Sequence, residues 1–158
     1  MENNLQLWME LLELQHRYVA ALDANELEAW PAFFLEEGHY EIIPKENYDQ
    51  GLPVPVIYCR NARMMRDRVV SLRNANIYEA HTYRHATSGL VIKGIEDDVV
   101  TTHSNYVVVS TGTAGDTVVY QAGMYIDEVV KHEGQWRYRS KKVVYDTLRV
   151  QTLLATPI

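Results

Sequence analysis

Six histidines (His16, His39, His81, His85, His103 and His132) and one cysteine (Cys59) are the side chains of this chain best suited to hold a metal. Their spacing argues against it. None forms the His-Glu-x-x-His pattern that puts two imidazoles on one helix face. His81 and His85 fall in a stretch that reads as strand, where a separation of four leaves them on one face but about 13 Å apart. A lone cysteine excludes an internal disulfide, a paired-thiolate zinc site and a Cys-x-x-Cys redox pair. It also excludes the mixed two-cysteine, two-histidine ligand set of some iron–sulfur clusters. A mononuclear iron held by two histidines and a carboxylate is not excluded by counting, yet no local motif supports one.

Acid–base chemistry needs fewer residues. Asp23, His39, His103 and Tyr106 are candidates for general acid or base, provided that a cavity buries them and shifts their pKa values. The alternative is that they cap helices, satisfy the sheet or face water. Nucleotide chemistry has no support: Gly-x-Gly-x-x-Gly, the phosphate-binding Gly-x-x-x-x-Gly-Lys-[Ser/Thr] and the nucleophile elbow are all absent. Arg60, Arg63, Arg66, Arg68 and Arg73, with Asp67 among them, could recruit an anion. On a helix such residues are more often solvated or salt-bridged at an interface, and the interface is the expectation here.

The elements that must position these residues can be read from periodicity. Leu5, Trp8, Leu12, Val19 and Leu22 recur at three- and four-residue intervals, which predicts an amphipathic helix over residues 5–22. Asn25 and Glu28 have the spacing of a capping box for a second, shorter helix, kinked at Pro31. Gly38 ends that region and residues 39–43 read as a strand. Three prolines and a glycine make residues 44–55 a long ordered loop or edge segment. Asn61 can cap a third helix that runs to about residue 74. Four β-rich runs follow, at residues 81–92, 99–110, 117–131 and 136–146, with turns expected at Lys93-Gly94, residues 111–116 and Glu133-Gly134. A bulge is expected at Gly123. The result is one α+β domain over residues 1–158, with three N-terminal helices packed on one face of a strongly curved, mainly antiparallel sheet.

With 158 residues, 47% hydrophobic and 23% charged, the chain has the composition of a globular domain that folds without disulfides or a structural metal. No secretory leader or membrane-spanning run is apparent, so a soluble, cytoplasmic protein is expected. The net charge of −6 argues against nucleic-acid binding. It is unevenly spread: residues 1–50 hold eleven acids and two bases, a net of −9, and the remainder is +3. Such asymmetry suits docking to copies of the chain or to a charged partner, and equally suits two ordinary solvated faces.

Residues 63–85, from Arg63 through Asp67-Arg68-Val69 to Tyr83-Arg84-His85, resemble a helix-plus-strand signature. The family is the small (β) subunits of Rieske-type, non-haem-iron aromatic-ring-hydroxylating oxygenases. Residues 30–34 with Gly38-His39-Tyr40, the loop at residues 43–53 and the final Lys141-to-Thr147 strand resemble the same family, the loop being similar to those of terephthalate and salicylate oxygenases.

The resemblance implies a nuclear-transport-factor-2-like (SnoaL-like) cone. It further implies a noncatalytic structural subunit, self-associated as a trimer ring, in a hexamer of three large (α) and three small (β) subunits that catabolises an aromatic carboxylate such as terephthalate or salicylate. The [2Fe-2S] Rieske cluster and the mononuclear Fe(II) would then lie on the large subunit, and electrons would come from NADH through a reductase or ferredoxin. This chain would carry no catalytic residue, cofactor or metal. Arg68, Tyr83, Arg84, His85 and Asp146 would serve structural or inter-subunit contacts. Two other readings stay open. One is a self-sufficient isomerase or dehydratase using an acid/base pair in the cone, and the other is a module that binds a hydrophobic small molecule there.

Overall fold

The computed structural model describes residues 2–74, 80–147 and 156–158. Residues 75–79 of the Arg63-to-His85 stretch, and residues 148–155, lie outside them. Helix α1 (Glu2–Asp23) buries Leu11, Leu14, Gln15, Tyr18, Val19 and Leu22, a stripe at helical spacing. A 3-10 helix follows at Leu27–Phe33 where a capped α-helix was expected. Glu26, not Asn25, stands at its N-cap and makes no side-chain bond; Asn25 sits at a positive φ of 60° and accepts a hydrogen bond from Arg73 instead. Pro31, which lacks the amide an α-helix interior needs, lies inside the 3-10 helix.

Strand β1 (Phe34–Pro44) leads to the short helix α2 (Lys45–Asp49), a loop and the edge strand β2 (Ile57–Cys59). Helix α3 (Ala62–Asn74) begins as expected, with Asn61 Oδ1 accepting the Met64 amide at 3.0 Å. The long strands are β3 (His81–Glu96), β4 (Val99–Gly112), β5 (Thr117–His132) and β6 (Gln135–Tyr145). The sheet order is β2-β1-β6-β5-β4-β3, antiparallel throughout except for the parallel pair β1–β6.

Three expectations about the sheet are corrected. Gly38 ends no helix: it lies inside β1, which starts at Phe34 rather than residue 39, at a register shift against β6. Lys93-Gly94 lies inside β3, at a register shift between Ile92 and Gly94, and the turn is made by Asp97 and Asp98 with φ of 49° and 65°. Two consecutive positive φ values match the twist of a tight hairpin, and aspartate tolerates them. Nor does Gly123 form a bulge: it pairs in register with Tyr106 on one side and Tyr145 on the other. The shifts fall at Tyr120, between the pairs Val108–Gln121 and Val109–Val119, and near Glu128–Val129. Gly123 answers a close approach instead, since a Cβ there would stand 2.0 Å from the Val144 carbonyl oxygen. The irregularities bend long strands into the cone, and α1, the 3-10 helix and α3 cover its concave face.

Candidate functional site

The concave face is lined by β4 residues Thr102, Ser104, Tyr106 and Val108, by Gln121, Tyr125 and Asp127 of β5, and by Lys141 and Val143 of β6, all buried. Alternation along each strand aims every second residue inward, so Asp127 and Lys141, directly paired in the β5–β6 register, meet in the interior. Lys141 Nζ donates to both Asp127 oxygens at 3.0 and 3.2 Å. It also stands over the rings of Tyr125 (3.8 Å to the centroid), Tyr138 (4.4 Å) and Tyr18 (4.5 Å). Burial pushes the lysine pKa down and the aspartate pKa up, and each charge opposes the shift of the other. Three ring faces add cation–π attraction to that pairing. Deeper in the sheet, the Tyr106 hydroxyl donates to Gln121 Oε1 at 2.7 Å, and its ring stacks on Tyr125 at 4.6 Å. Gln15 Nε2 reaches Ser104 Oγ at 2.5 Å.

At the mouth of the cone the occupant is the chain itself. Ile158 is fully buried, and its main-chain oxygen accepts hydrogen bonds from Tyr18 Oη at 3.0 Å and Tyr40 Oη at 3.2 Å. Its amide donates back to Tyr40 Oη at 2.9 Å. Trp30 Nε1 donates to Tyr18 Oη at 3.2 Å and so orients that hydroxyl toward the oxygen. Burial raises the Tyr18 and Tyr40 phenols well above the usual tyrosine range, which keeps both as donors.

Beside the plug, α1 and β3 bring Asp23 and His85 together. The imidazole Nδ1 lies 2.5 Å from Asp23 Oδ1, and the His85 backbone amide donates to both carboxylate oxygens at 3.1 and 3.2 Å. The His85 side chain is fully covered and its Nε2 meets no hydrogen-bond partner.

The four acid–base candidates do not converge. Asp23 is engaged with His85, His39 is exposed on β1, His103 is half-buried with its pKa lowered by burial and then by Lys93, and Tyr106 lies deep in the cone on Gln121. Of the five motif residues, Tyr83 points inward and stacks on Tyr120 at 5.0 Å, while Arg84, next along β3, is exposed. Asp146 is exposed, and its amide donates to the Ala122 carbonyl. Arg68 is half-buried on α3, near enough to Tyr40 and Cys59 to act on both electrostatically.

Two arrangements escaped the sequence reading. Asp23 and His85 were each singled out but never paired, since only the packing of α1 on β3 joins them. The Lys141–Asp127 pair did leave a signal: both charges sit at the apolar parity of their strands, Asp127 between Tyr125 and Val129, Lys141 two before Val143.

Among the described residues the side chains do not converge on an iron centre. Cys59 is alone and buried, with its pKa raised by burial, and among the described residues no three His, Cys, Asp or Glu side chains converge. Nor is any helix of the described residues long and apolar enough to cross a membrane.

A helix-covered cone of this topology defines a class, and a family model of the SnoaL-like domain matches residues 5–142. Over 161 aligned positions, covering all of both chains, the sequence is 57% identical to the anthranilate 1,2-dioxygenase small subunit of Burkholderia cepacia. It is 30% identical to the beta 2 subunit of the terminal oxygenase component of terephthalate 1,2-dioxygenase from a Comamonas species, over 89% of this chain and 92% of that one. A crystal structure assigned as the beta subunit of an aromatic-ring-hydroxylating dioxygenase from Novosphingobium aromaticivorans superposes with a TM-score of 0.90 at 41% identity, covering 98% of this chain and 99% of that one. The chain belongs to the small subunits of aromatic-ring-hydroxylating dioxygenases. Its partner is accordingly a large oxygenase subunit.

Proposed function

We propose that this chain is a noncatalytic ring-forming subunit of an oxygenase with three large and three small subunits, and that the complex oxidises a benzene carboxylate of the anthranilate type. One observation carries the substrate class: end-to-end identity of 57% with an anthranilate 1,2-dioxygenase small subunit. The interior supports the noncatalytic role, because the buried Lys141 and Asp127 satisfy each other and Ile158 occupies the mouth. The Rieske cluster and mononuclear iron belong on the large subunit, and a reductase using NADH feeds them.

An exposed apolar strip beside the edge strand, Leu52, Val54, Val56 and Tyr58, at 45–57% exposure, supports a subunit contact. Arg84 and Asp146, both exposed, are assigned contact roles, and Arg68, Tyr83 and His85 hold the mouth of the cone. Co-expression with a large subunit of this family, with a reductase and NADH, tests the reading. The expected result is an iron-containing complex of equal subunit numbers that hydroxylates anthranilate, with no turnover by this chain alone.

The Asp23–His85 pair favours a second reading, acid–base isomerisation or dehydration by the chain itself. Turnover by the purified small subunit, abolished in Asp23→Asn, would establish that reading and overturn the first.

A further inference from the structure

The mouth of the cone has the features of a binding site whose ligand is supplied by the same chain. Two tyrosine hydroxyls from different elements, Tyr18 on α1 and Tyr40 on β1, converge on one oxygen of Ile158, and one of them also accepts the Ile158 amide. Both tyrosines are fully buried, as is Ile158. Their geometry suits any ligand oxygen that accepts two hydrogen bonds. The surroundings are apolar and aromatic: the Trp30 ring lies 5.0 Å from that of Tyr40, and Phe34 packs edge-on against both. Arg68 supplies a positive field at Tyr40. Beside the plug a pocket of 310 Å³ is already open, with Thr156 and Pro157 as one wall and Leu22, Asp23 and Tyr83 among the others. Withdrawal of residues 156–158 would join that pocket to the tyrosine pair.

We propose that residues 156–158 are an internal ligand of the cone, and that the site they occupy binds a small apolar carboxylic acid when they are displaced. The acid's oxygen would take the place of the Ile158 oxygen between Tyr18 and Tyr40, and its hydrocarbon part the place of the isoleucine side chain. The inference concerns this chain alone and holds whether or not it works with a large subunit.

The test uses the full chain, a variant lacking residues 156–158, and benzoate as the probe. In the shortened variant, benzoate at roughly ten times its Kd should raise the Tm by about 3–6 °C. The peptide Thr-Pro-Ile added in trans should act in the same direction, and toluene should not. Tyr40→Phe in the shortened background should remove most of the benzoate response, while the full chain should respond weakly or not at all. If the shortened variant does not fold, Ile158→Gly, which removes the buried side chain and leaves the main-chain oxygen to compete with the probe, takes its place, and its benzoate shift should fall between those of the full chain and of an emptied site. A folded variant indifferent to both benzoate and the peptide overturns the proposal. So does an equal response to toluene, which would make the site an apolar cavity only, or an equal benzoate response in the full chain, which would mean that residues 156–158 do not occupy it.

Discussion

The Lys141 amine has no exposure to water and is held by one carboxylate and three tyrosine faces. Pairs of this kind contribute little net stability, because desolvation offsets their attraction, but removing one partner leaves the other charge buried and uncompensated. Lys141→Met is therefore expected to destabilise by about 3–5 kcal/mol in urea unfolding. The double variant Lys141→Met/Asp127→Leu should recover most of that loss, and a double variant as unstable as the single would show that the tyrosine contacts, not the ion pair, carry the effect. The asymmetry matters for function as well. A catalytic lysine needs access to a substrate, and Lys141 has its donors and its ring faces already committed.

At the scale of elements, much of the architecture was legible because it depends on local chemistry. The strand runs were evident from β-branched and aromatic residues, the start of α3 from Asn61, and one hairpin from Glu133-Gly134, both at positive φ (50° and 78°). Where the reading failed, a longer-range partner decided the outcome. Arg73 of α3 takes both the Asn25 side chain and the Glu28 carboxylate that a capping box would have used. Glycine at 94 looked like a turn, but the β3–β4 register runs on to Asp97 and Asp98. Gly123 was legible as special and misread as to why, because nothing local says how closely the end of β6, its sheet neighbour, approaches it. Its Cβ position lies 2.0 Å from the Val144 oxygen and 2.8 Å from Tyr145 Cα, both backbone atoms that cannot swing aside. Gly123→Ala should cost about 3 kcal/mol or more through overpacking, read as a lower urea midpoint at unchanged slope. An alanine variant of normal stability would mean that the two strands separate there readily.

Across the whole molecule, the acidic first third is in part answered from within. Glu10 pairs with Lys131, Glu28 with Arg73, Glu36 with Arg66 and Glu41 with Lys142, each an acid before residue 50 meeting a base beyond it. The charge asymmetry therefore helps close the chain on itself before any partner is involved. Arg73 holds the Glu28 carboxyl down at about 2 from an ordinary value of 4.5. A depressed carboxylate stabilises the folded state fully above its unfolded value and loses that contribution as pH falls toward the folded one. Thermal unfolding between pH 4.5 and about 2 should accordingly be less pH-dependent in Glu28→Gln than in the parent. The effect will be modest because the pair is at the surface, and parallel curves for the two proteins would remove Glu28 from the acid response.

The parallel pairing of β1 with β6 has a consequence for how the molecule comes into being. β6 sits between β1 and β5, so the sheet is two separate pieces until residues 135–145 arrive, and the Tyr18 and Tyr40 hydroxyls wait for Ile158. During synthesis the N-terminal helices and β1 must remain without their central neighbour while about ninety further residues emerge, at about 5–20 residues per second. Closure is thus a late, long-range event of the slow kind that non-local strand pairing imposes. A nascent small subunit cannot present its finished cone to a large subunit until its last strand has left the ribosome.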